Sequence, residues 1–432
     1  MTNKTVLNAG QQTAADGFFN FLLSNKGKEL IISGPGGVGK TYMMGHMIDE
    51  IMPKYFKMCE LIGIAPEYDG VVMAATTNKA AYVLTESTQH KVDTIHSFLA
   101  LKVKDNFTTG KSSLIKTAAW TVHQNKIIFI DECSMIDTEL RNIILEGTHN
   151  CKIIYVGDHC QLAPVMEPIS PIYRDNLPFF ALTESVRNAG QPTLMHVCQQ
   201  LRDTVETGVF KPIQEVPGVI DWLSGEEAEN EVYTHFSKQT TTSRILAYSN
   251  SRVLEFNRHI RDIRNLPEEF TVGELLVNNS AIHVGKSMLS VDEEVEIIQQ
   301  DYKPTKVKIS DSEYLDILKT DLKTRTRIVR DIDVPIDQKH YADLIRYSQR
   351  LKNWNMYFNL KNNYPDLRQR DASTVHKSQG SSYDTVFIDL KNLSTSNQPN
   401  VVARLLYVAF SRARNRVVLF GDLANKYGGV VR

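Results

Sequence analysis

Gly34-Pro35-Gly36-Gly37-Val38-Gly39-Lys40-Thr41 follows an apolar run, Leu30-Ile31-Ile32, and opens into a second one, Tyr42-Met43-Met44 through Ile51. A glycine-rich turn between a strand and a helix start is a phosphate cradle. Its glycines let the backbone approach, successive N–H groups point inward, and the helix dipole favours an anion. Lys40 brings a charge for the β- and γ-phosphates and the Thr41 hydroxyl is a ligand for Mg2+. A chance match in a plain loop is the competing reading, and the strand-then-helix setting disfavours it. The stretch implies a bound nucleoside triphosphate with Mg2+, in an α/β setting.

Upstream of the cradle, Gln11 precedes an amphipathic run through Phe18, Phe19, Phe21 and Leu22. Its amide matches both edges of an adenine, although a glutamine at a helix start is by itself more often a solvated cap. The 432 residues leave room for two to four domains and carry a net charge of −1. That balance excludes a protein that coats nucleic acid by bulk positive charge, but not a local groove. Five cysteines without a C-x-x-C pair read as reduced thiols, and His159 beside Cys160 reads as incidental rather than metal-binding. No apolar run is long enough for a membrane span and the start lacks a signal-peptide core, so a cytoplasmic protein without a membrane partner is expected.

Downstream, Gly70 to Ala75 reads as a buried strand ending at Thr76-Thr77-Asn78, where doubly wound sheets bind ligands; a plain turn capped by Thr77 or Asn78 is the alternative. Thr94-Ile95-His96-Ser97-Phe98 is a short polar and aromatic cluster. Residues from about Leu101 to Trp120 read as an exposed hairpin with Phe107 near its tip, suited to stacking on a base or to local packing. A strand, Lys126 to Ile130, then delivers Asp131-Glu132. Opposite a phosphate cradle, Asp131 would hold Mg2+ through its water and Glu132 would orient the attacking water. Gln161, after the strand Lys152 to Val156, is placed to sense a γ-phosphate, and Arg187 is a candidate cation for the developing charge.

The second half repeats the strand-then-helix pattern at Arg244 to Asn250. Between about Asn278 and Pro365, short alternating runs and a helical segment read as a small β-barrel-like insertion with a helical arm. Its Lys319, Lys323, Arg325, Arg327 and Arg330 read equally as a phosphate path and as a solvated edge. The main fold returns at Thr374-Val375-His376-Lys377-Ser378-Gln379-Gly380 and ends with an apolar helix that delivers Arg412 and Arg414.

In this order the motifs resemble superfamily 1 helicases, and within them the RecD-like branch (superfamily 1B) that includes the phage Dda helicases. The resemblance runs from near residue 7 to about 420 and is weakest in the two insertions. It implies two RecA-like P-loop domains. Domain 1A would be 1–97 and 123–190, a pin-like insertion 1B 98–122, domain 2A 191–277 and 371–432, and an SH3-like insertion 2B 278–370. It implies ATP contacts from Gln11, the cradle, Gln379 and Gly380, and catalytic roles for Lys40, Asp131, Glu132, Gln161, Arg187 and Arg412. Thr76, Thr77, His96, Ser97, Phe98, Asn250, Thr374 and His376 match the family's single-strand path, and Phe107 its strand-separating pin. The implied activity is ATP-dependent 5′→3′ translocation on single-stranded DNA with unwinding of forked duplex, in phage-type replication, recombination or repair. A monomer would suffice, with a single-strand binding protein or replisome components as further partners. An RNA-directed helicase, a protein-displacing translocase and a nucleotide-switched loading module are the alternatives.

Overall fold

A computed structural model describes residues 7–164, 167–184, 191–284 and 287–431. They fall into two compact units. The first takes the chain up to Lys102, Lys116–Lys211 and Ser396–Ser411; the second takes Val103–Ile115, Pro212–Thr395 and the chain from Arg412 onward.

The first unit is built on a six-stranded parallel sheet. Its order is Phe179–Ala181, Glu29–Ser33, Lys152–Gly157, Lys126–Asp131, Gly70–Ala75, Val92–Thr94. The central strands carry continuous apolar runs, as strands covered on both faces require. Ile127, Ile128, Phe129 and Ile130 are buried, as are Ile153, Ile154, Tyr155 and Val156. The helix Ala9–Leu23 covers one face. Asn8 caps it by accepting from the Gln11 N–H, Gln11 returns its side chain to the Asn8 N–H, and Phe18, Phe21 and Leu22 line its buried stripe. Phe18 meets Phe129 at 5.6 Å between ring centroids. After the phosphate loop the helix Lys40–His46 runs through one π-helical turn, Met47–Ile51, into Met52–Leu61. The wider turn keeps Met47 and Ile51 in the same core as Met43 and Met44.

The second unit holds a five-stranded parallel sheet in the order Ile220–Leu223, Ala413–Phe420, Tyr383–Asp389, Ser243–Ala247, Ala372–Thr374. It also holds an antiparallel sheet in which Thr305–Lys308, Tyr314–Lys323, Glu294–Gln300, Leu275–Asn278 and Leu367–Gln369 pair in turn, and Ile328–Pro335 pairs with Tyr314–Lys323. The helices Gln338–Arg350 and Trp354–Asn363 pack their apolar sides with Leu315 and Ile317.

The compact units divide the chain differently from the sequence reading in two places. The helices Pro192–Thr207 and Pro399–Phe410 pack on each other within the first unit, although both were assigned to domain 2A. The second of them is apolar almost all round, with Val402, Leu405, Leu406, Val408, Ala409 and Phe410 buried, so it needs cover on every side. In the hairpin Leu101–Asp105 with Ser112–Lys116, only Val103–Ile115 groups with the second unit, because its tip lies on the Trp354–Asn363 helix.

Candidate active site

Four loops leave the carboxyl ends of adjacent strands in the first unit's sheet, the edge at which doubly wound folds bind ligands. The phosphate loop follows Glu29–Ser33, Asp131-Glu132 ends Lys126–Asp131, the turn carrying Gln161 follows Lys152–Gly157, and Thr76-Thr77 follows Gly70–Ala75.

The phosphate loop has the conformation its glycines permit. Gly37 and Gly39 take φ of 88° and 82°, in the left-handed region that residues with a Cβ avoid. At Gly34 a Cβ would stand 2.3 Å from the Leu182 carbonyl oxygen, so the neighbouring chain closes over the loop only because that residue is glycine. The Lys40 ammonium donates to the carbonyls of Gly34 (2.7 Å) and Pro35 (3.0 Å), which keeps it at the mouth of the loop. Gln11 is not a solvated cap. It is buried, and its Nε2 donates to the Val38 carbonyl at 3.2 Å, so the capping glutamine also braces the cradle.

Burial, and then the neighbouring Glu132, push the Asp131 carboxyl up to about 7, while Lys40 pulls it down. A carboxylate under that strain is suited to a divalent cation, whose charge restores the ionised form, and with the Thr41 hydroxyl it offers the hard oxygen donors Mg2+ takes. Glu132 sits at φ 53°, ψ 41°, an uncommon backbone for a residue with a side chain. The Thr76 hydroxyl reaches the Glu132 carbonyl at 3.5 Å, bringing a candidate single-strand residue against the candidate base.

The other predicted residues of this unit have local partners. Thr77 caps the helix Asn78–Thr88 by accepting from the Ala80 N–H, the simpler of its two readings. Thr94 caps the helix Ile95–Phe98 through the Ser97 N–H. Burial lowers the pKa of His96, which keeps its ring neutral. Phe98 stacks on His123 at 4.1 Å, and its carbonyl meets His123 Nε2 at 3.0 Å. Arg187 lies outside the described residues.

In the second unit, Thr374 and Ala247 are register partners at the ends of adjacent parallel strands. Asn250 opens the helix Asn250–Ile263, and the His376 ring, neutral through burial, lies 6.2 Å from that of Tyr248. Tyr248 and Asn392 escaped the sequence reading. The Asn392 Oδ1 accepts from the N–H groups of Tyr248 (2.7 Å) and Ser249 (2.9 Å), which sets this corner. Gly380 takes φ of 70°, and Arg412 Nη1 donates to the Ser381 carbonyl at 3.2 Å. Of the two readings of the antiparallel sheet's basic residues, their partners favour the solvated edge. Lys319, Lys323, Arg325, Arg327 and Arg330 each face a carboxylate, from Asp333, Glu296, Glu294, Glu293 and Asp321, so the edge is charge-balanced.

Sequence reasoning also missed a buried network beside the phosphate loop. Asp158 accepts from Arg202 Nη1 (2.6 Å) and from the Tyr407 hydroxyl (2.5 Å). His159 Nδ1 lies 3.0 Å from the Ser33 hydroxyl and 3.3 Å from Arg202 Nη2. Asp158, His159 and Cys160 bring their ligand atoms within 4.8 Å of one another. That cluster is not a metal centre, because the carboxylate is already taken by a guanidinium and burial pushes the Cys160 thiol up. A tyrosine inside an otherwise largely apolar helix was the available signal.

The fold and site define a P-loop nucleotide-hydrolase architecture with a second parallel sheet carrying its own polar corner. The AAA domain family matches residues 6–215, and the UvrD-like helicase C-terminal domain family matches 371–420. The chain is 25% identical over 454 residues to the ATP-dependent DNA helicase dda of Enterobacteria phage T4, covering 94% of this chain and 98% of that protein. It is 24% identical over 510 residues to the uncharacterized protein R530 of Acanthamoeba polyphaga mimivirus, covering 95% and 99%. A Bacteroides Pif1 helicase solved with ADP-AlF3 and ssDNA shares the fold, with a TM-score of 0.52 and 13% identity over 99% of this chain and 95% of that one. A Pif1 structure of DNA unwinding at forked dsDNA gives the same values. The chain is thus similar along nearly its whole length to an ATP-dependent DNA helicase and shares its fold with Pif1 helicases, and its two parallel sheets are RecA-like.

Proposed function

We propose that this helicase hydrolyses ATP with Mg2+ to move 5′→3′ along single-stranded DNA and to part forked duplex ahead of it. The observation that carries the reading is the placement of Lys40, Asp131-Glu132, the Gln161 turn and Thr76-Thr77 on neighbouring strand ends of one sheet. Nucleotide chemistry and a strand-contacting loop are one residue contact apart, at Thr76 and the Glu132 carbonyl. Lys40 draws charge from the phosphates, Glu132 orients the attacking water, and Gln161 senses the terminal phosphate. Arg187 and Arg412 supply cations to the developing charge, as phosphoryl transfer requires. The Thr41 hydroxyl and the Asp131 carboxylate would hold Mg2+, which would supply positive charge to the phosphates. Gln379 and Gly380 are assigned to the nucleotide, and His96, Ser97, Phe98, Asn250, Thr374 and His376 to the strand, whose grip rests on backbone contacts and stacking with little sequence preference. The protein acts as a monomer in the cytoplasm, with single-strand binding protein or replisome components as partners.

Strand displacement on tailed duplexes tests this directly. With ATP and Mg2+, duplexes bearing a 5′ single-stranded tail are expected to open and those bearing only a 3′ tail to stay closed. Chelating the metal stops both hydrolysis and opening. Unwinding from 3′ tails would reverse the polarity, and stimulation by RNA but not DNA would move the protein to the RNA-directed class.

The antiparallel sheet is assigned as the SH3-like insertion, and the hairpin Leu101–Lys116 as the separating pin. The Phe107 ring meets Phe358 edge-on at 5.0 Å, and Asn362 donates to Asp105 at 2.9 Å. Gly110, at φ 70°, would place a Cβ 2.4 Å from the Trp354 ring. Gly110→Val is therefore expected to lift the tip off its helix. Strand separation should fall several-fold while single-strand-stimulated hydrolysis stays near the wild-type rate, read by parallel unwinding and phosphate-release assays. Equal loss of both would remove the pin assignment.

A further inference from the structure

Arg404 lies on the apolar helix Pro399–Phe410 and is 7% exposed. Among the described residues no carboxylate lies within ion-pair distance of it. Its Nη1 donates instead to two main-chain carbonyls of one turn, those of His159 (2.6 Å) and Gln161 (2.5 Å). Its Nε donates to Asn400 Oδ1 at 3.2 Å. Burial pulls the guanidinium's pKa down, and the nearby Asp158 carboxylate offsets this only in part.

A cation buried against neutral carbonyls is a poor way to stabilise a fold, since an apolar side chain would fill the same helix face without the desolvation cost. What the arginine achieves is geometric. One nitrogen draws together the carbonyls on either side of Cys160 and fixes the main chain from which the Gln161 side chain springs. The same turn is held at its other end, where Asp158 accepts from Arg202 and Tyr407, and His159 lies against Ser33, the residue before the phosphate loop. Tyr407 stands on the same helix as Arg404, one turn further on. The helix ends at Phe410, two residues before Arg412. One helix thus fixes the turn that carries a γ-phosphate sensor, reaches the root of the phosphate loop only through His159, and hands the chain on to a candidate catalytic arginine.

We propose that Arg404 is a positioning residue for reading the terminal phosphate: it clamps the His159–Gln161 turn so that Gln161 distinguishes ATP from ADP, and it couples that turn to the helix leading to Arg412. This rests on the role given to Gln161 above.

The test compares full-length wild type with R404M and R404K. It reads steady-state hydrolysis at saturating single-stranded DNA together with equilibrium binding of fluorescent ADP and of a non-hydrolysable fluorescent ATP analogue. R404M is expected to lose kcat by about tenfold to a hundredfold, the scale of a small misplacement of a reacting group. Its ADP affinity should stay within about twofold of wild type while its preference for the ATP analogue collapses. R404K, whose ammonium can donate to both carbonyls, should regain part of kcat and of the preference. If R404M does not fold, as judged by its melting curve, R404Q carries the same comparison with a single donor. Wild-type kcat and wild-type ATP-over-ADP preference in a folded variant would overturn the proposal. So would equal losses for ADP and the ATP analogue, because the arginine would then only be holding the fold. A wild type without single-strand-stimulated hydrolysis would instead sink the functional reading itself.

Discussion

Lys40→Ala is expected to lower single-strand-stimulated hydrolysis by at least about a hundredfold, the scale of removing one preorganised charge donor from a phosphoryl-transfer site. The ammonium is held at the mouth of the loop by the Gly34 and Pro35 carbonyls, so it is in place before a nucleotide arrives, and among the described residues no other cation shares that hold. The backbone of the loop, set by Gly37 and Gly39, does not depend on the side chain. Binding of single-stranded DNA, measured by fluorescence anisotropy without nucleotide, should therefore remain within a few-fold of wild type. Normal turnover in the variant would refute the site, whereas joint loss of hydrolysis and strand binding would mean that Lys40 supports the fold rather than the chemistry.

The second large effect is on stability. Asp158→Ala removes the carboxylate that pairs with Arg202 at 2.6 Å and accepts from Tyr407. Burial opposes the charge on Arg202, yet Asp158 beside it holds the guanidinium above its ordinary pKa. Without Asp158 the buried cation keeps only the half-exposed Glu206 at 3.5 Å, beside a neutral hydroxyl and a histidine whose pKa burial and Arg202 lower. Breaking a buried pair from one side costs about 3–5 kcal/mol. Lys319→Ala is the control, because its pair with Asp333 is solvated and worth about 1 kcal/mol or less. Equilibrium unfolding of the two variants in denaturant should separate them clearly. Similar small losses would show that the Asp158 network is not the anchor described here.

The nucleotide half of the site was legible because its chemistry sits in contiguous motifs. A glycine-rich turn between strand and helix, and an acidic pair at a strand end, are each short enough to read directly, and their companionship follows from strand order. What was not legible depends on partners far along the chain. Nothing near Arg404 in sequence predicts that it clamps a turn more than two hundred residues earlier. Asn392 likewise acts on Tyr248 and Ser249 only through the fold. The basic run from Lys319 to Arg330 read equally as a phosphate path and as a solvated edge because the carboxylates that pair with it arrive from other strands through antiparallel register and a hairpin pairing. Phe107 was placed near a hairpin tip, but the aromatic helix beneath it lies about 250 residues downstream and carried no local sign of the contact.

The route of the chain also bears on how the protein is made. The first unit is not complete when Lys211 has been synthesised, since its buried helix Pro399–Phe410 arrives only after Pro212–Thr395. At ordinary ribosome speeds that interval lasts on the order of ten to forty seconds. Throughout it the Asp158–Arg202 pair lacks Tyr407, and the Gln161 turn lacks its clamp. A nascent chain arrested at Thr395 would hold the whole phosphate loop and yet a half-built neighbour to it. Chaperone dependence and protease sensitivity should concentrate in that window, and competence for nucleotide should come late in synthesis.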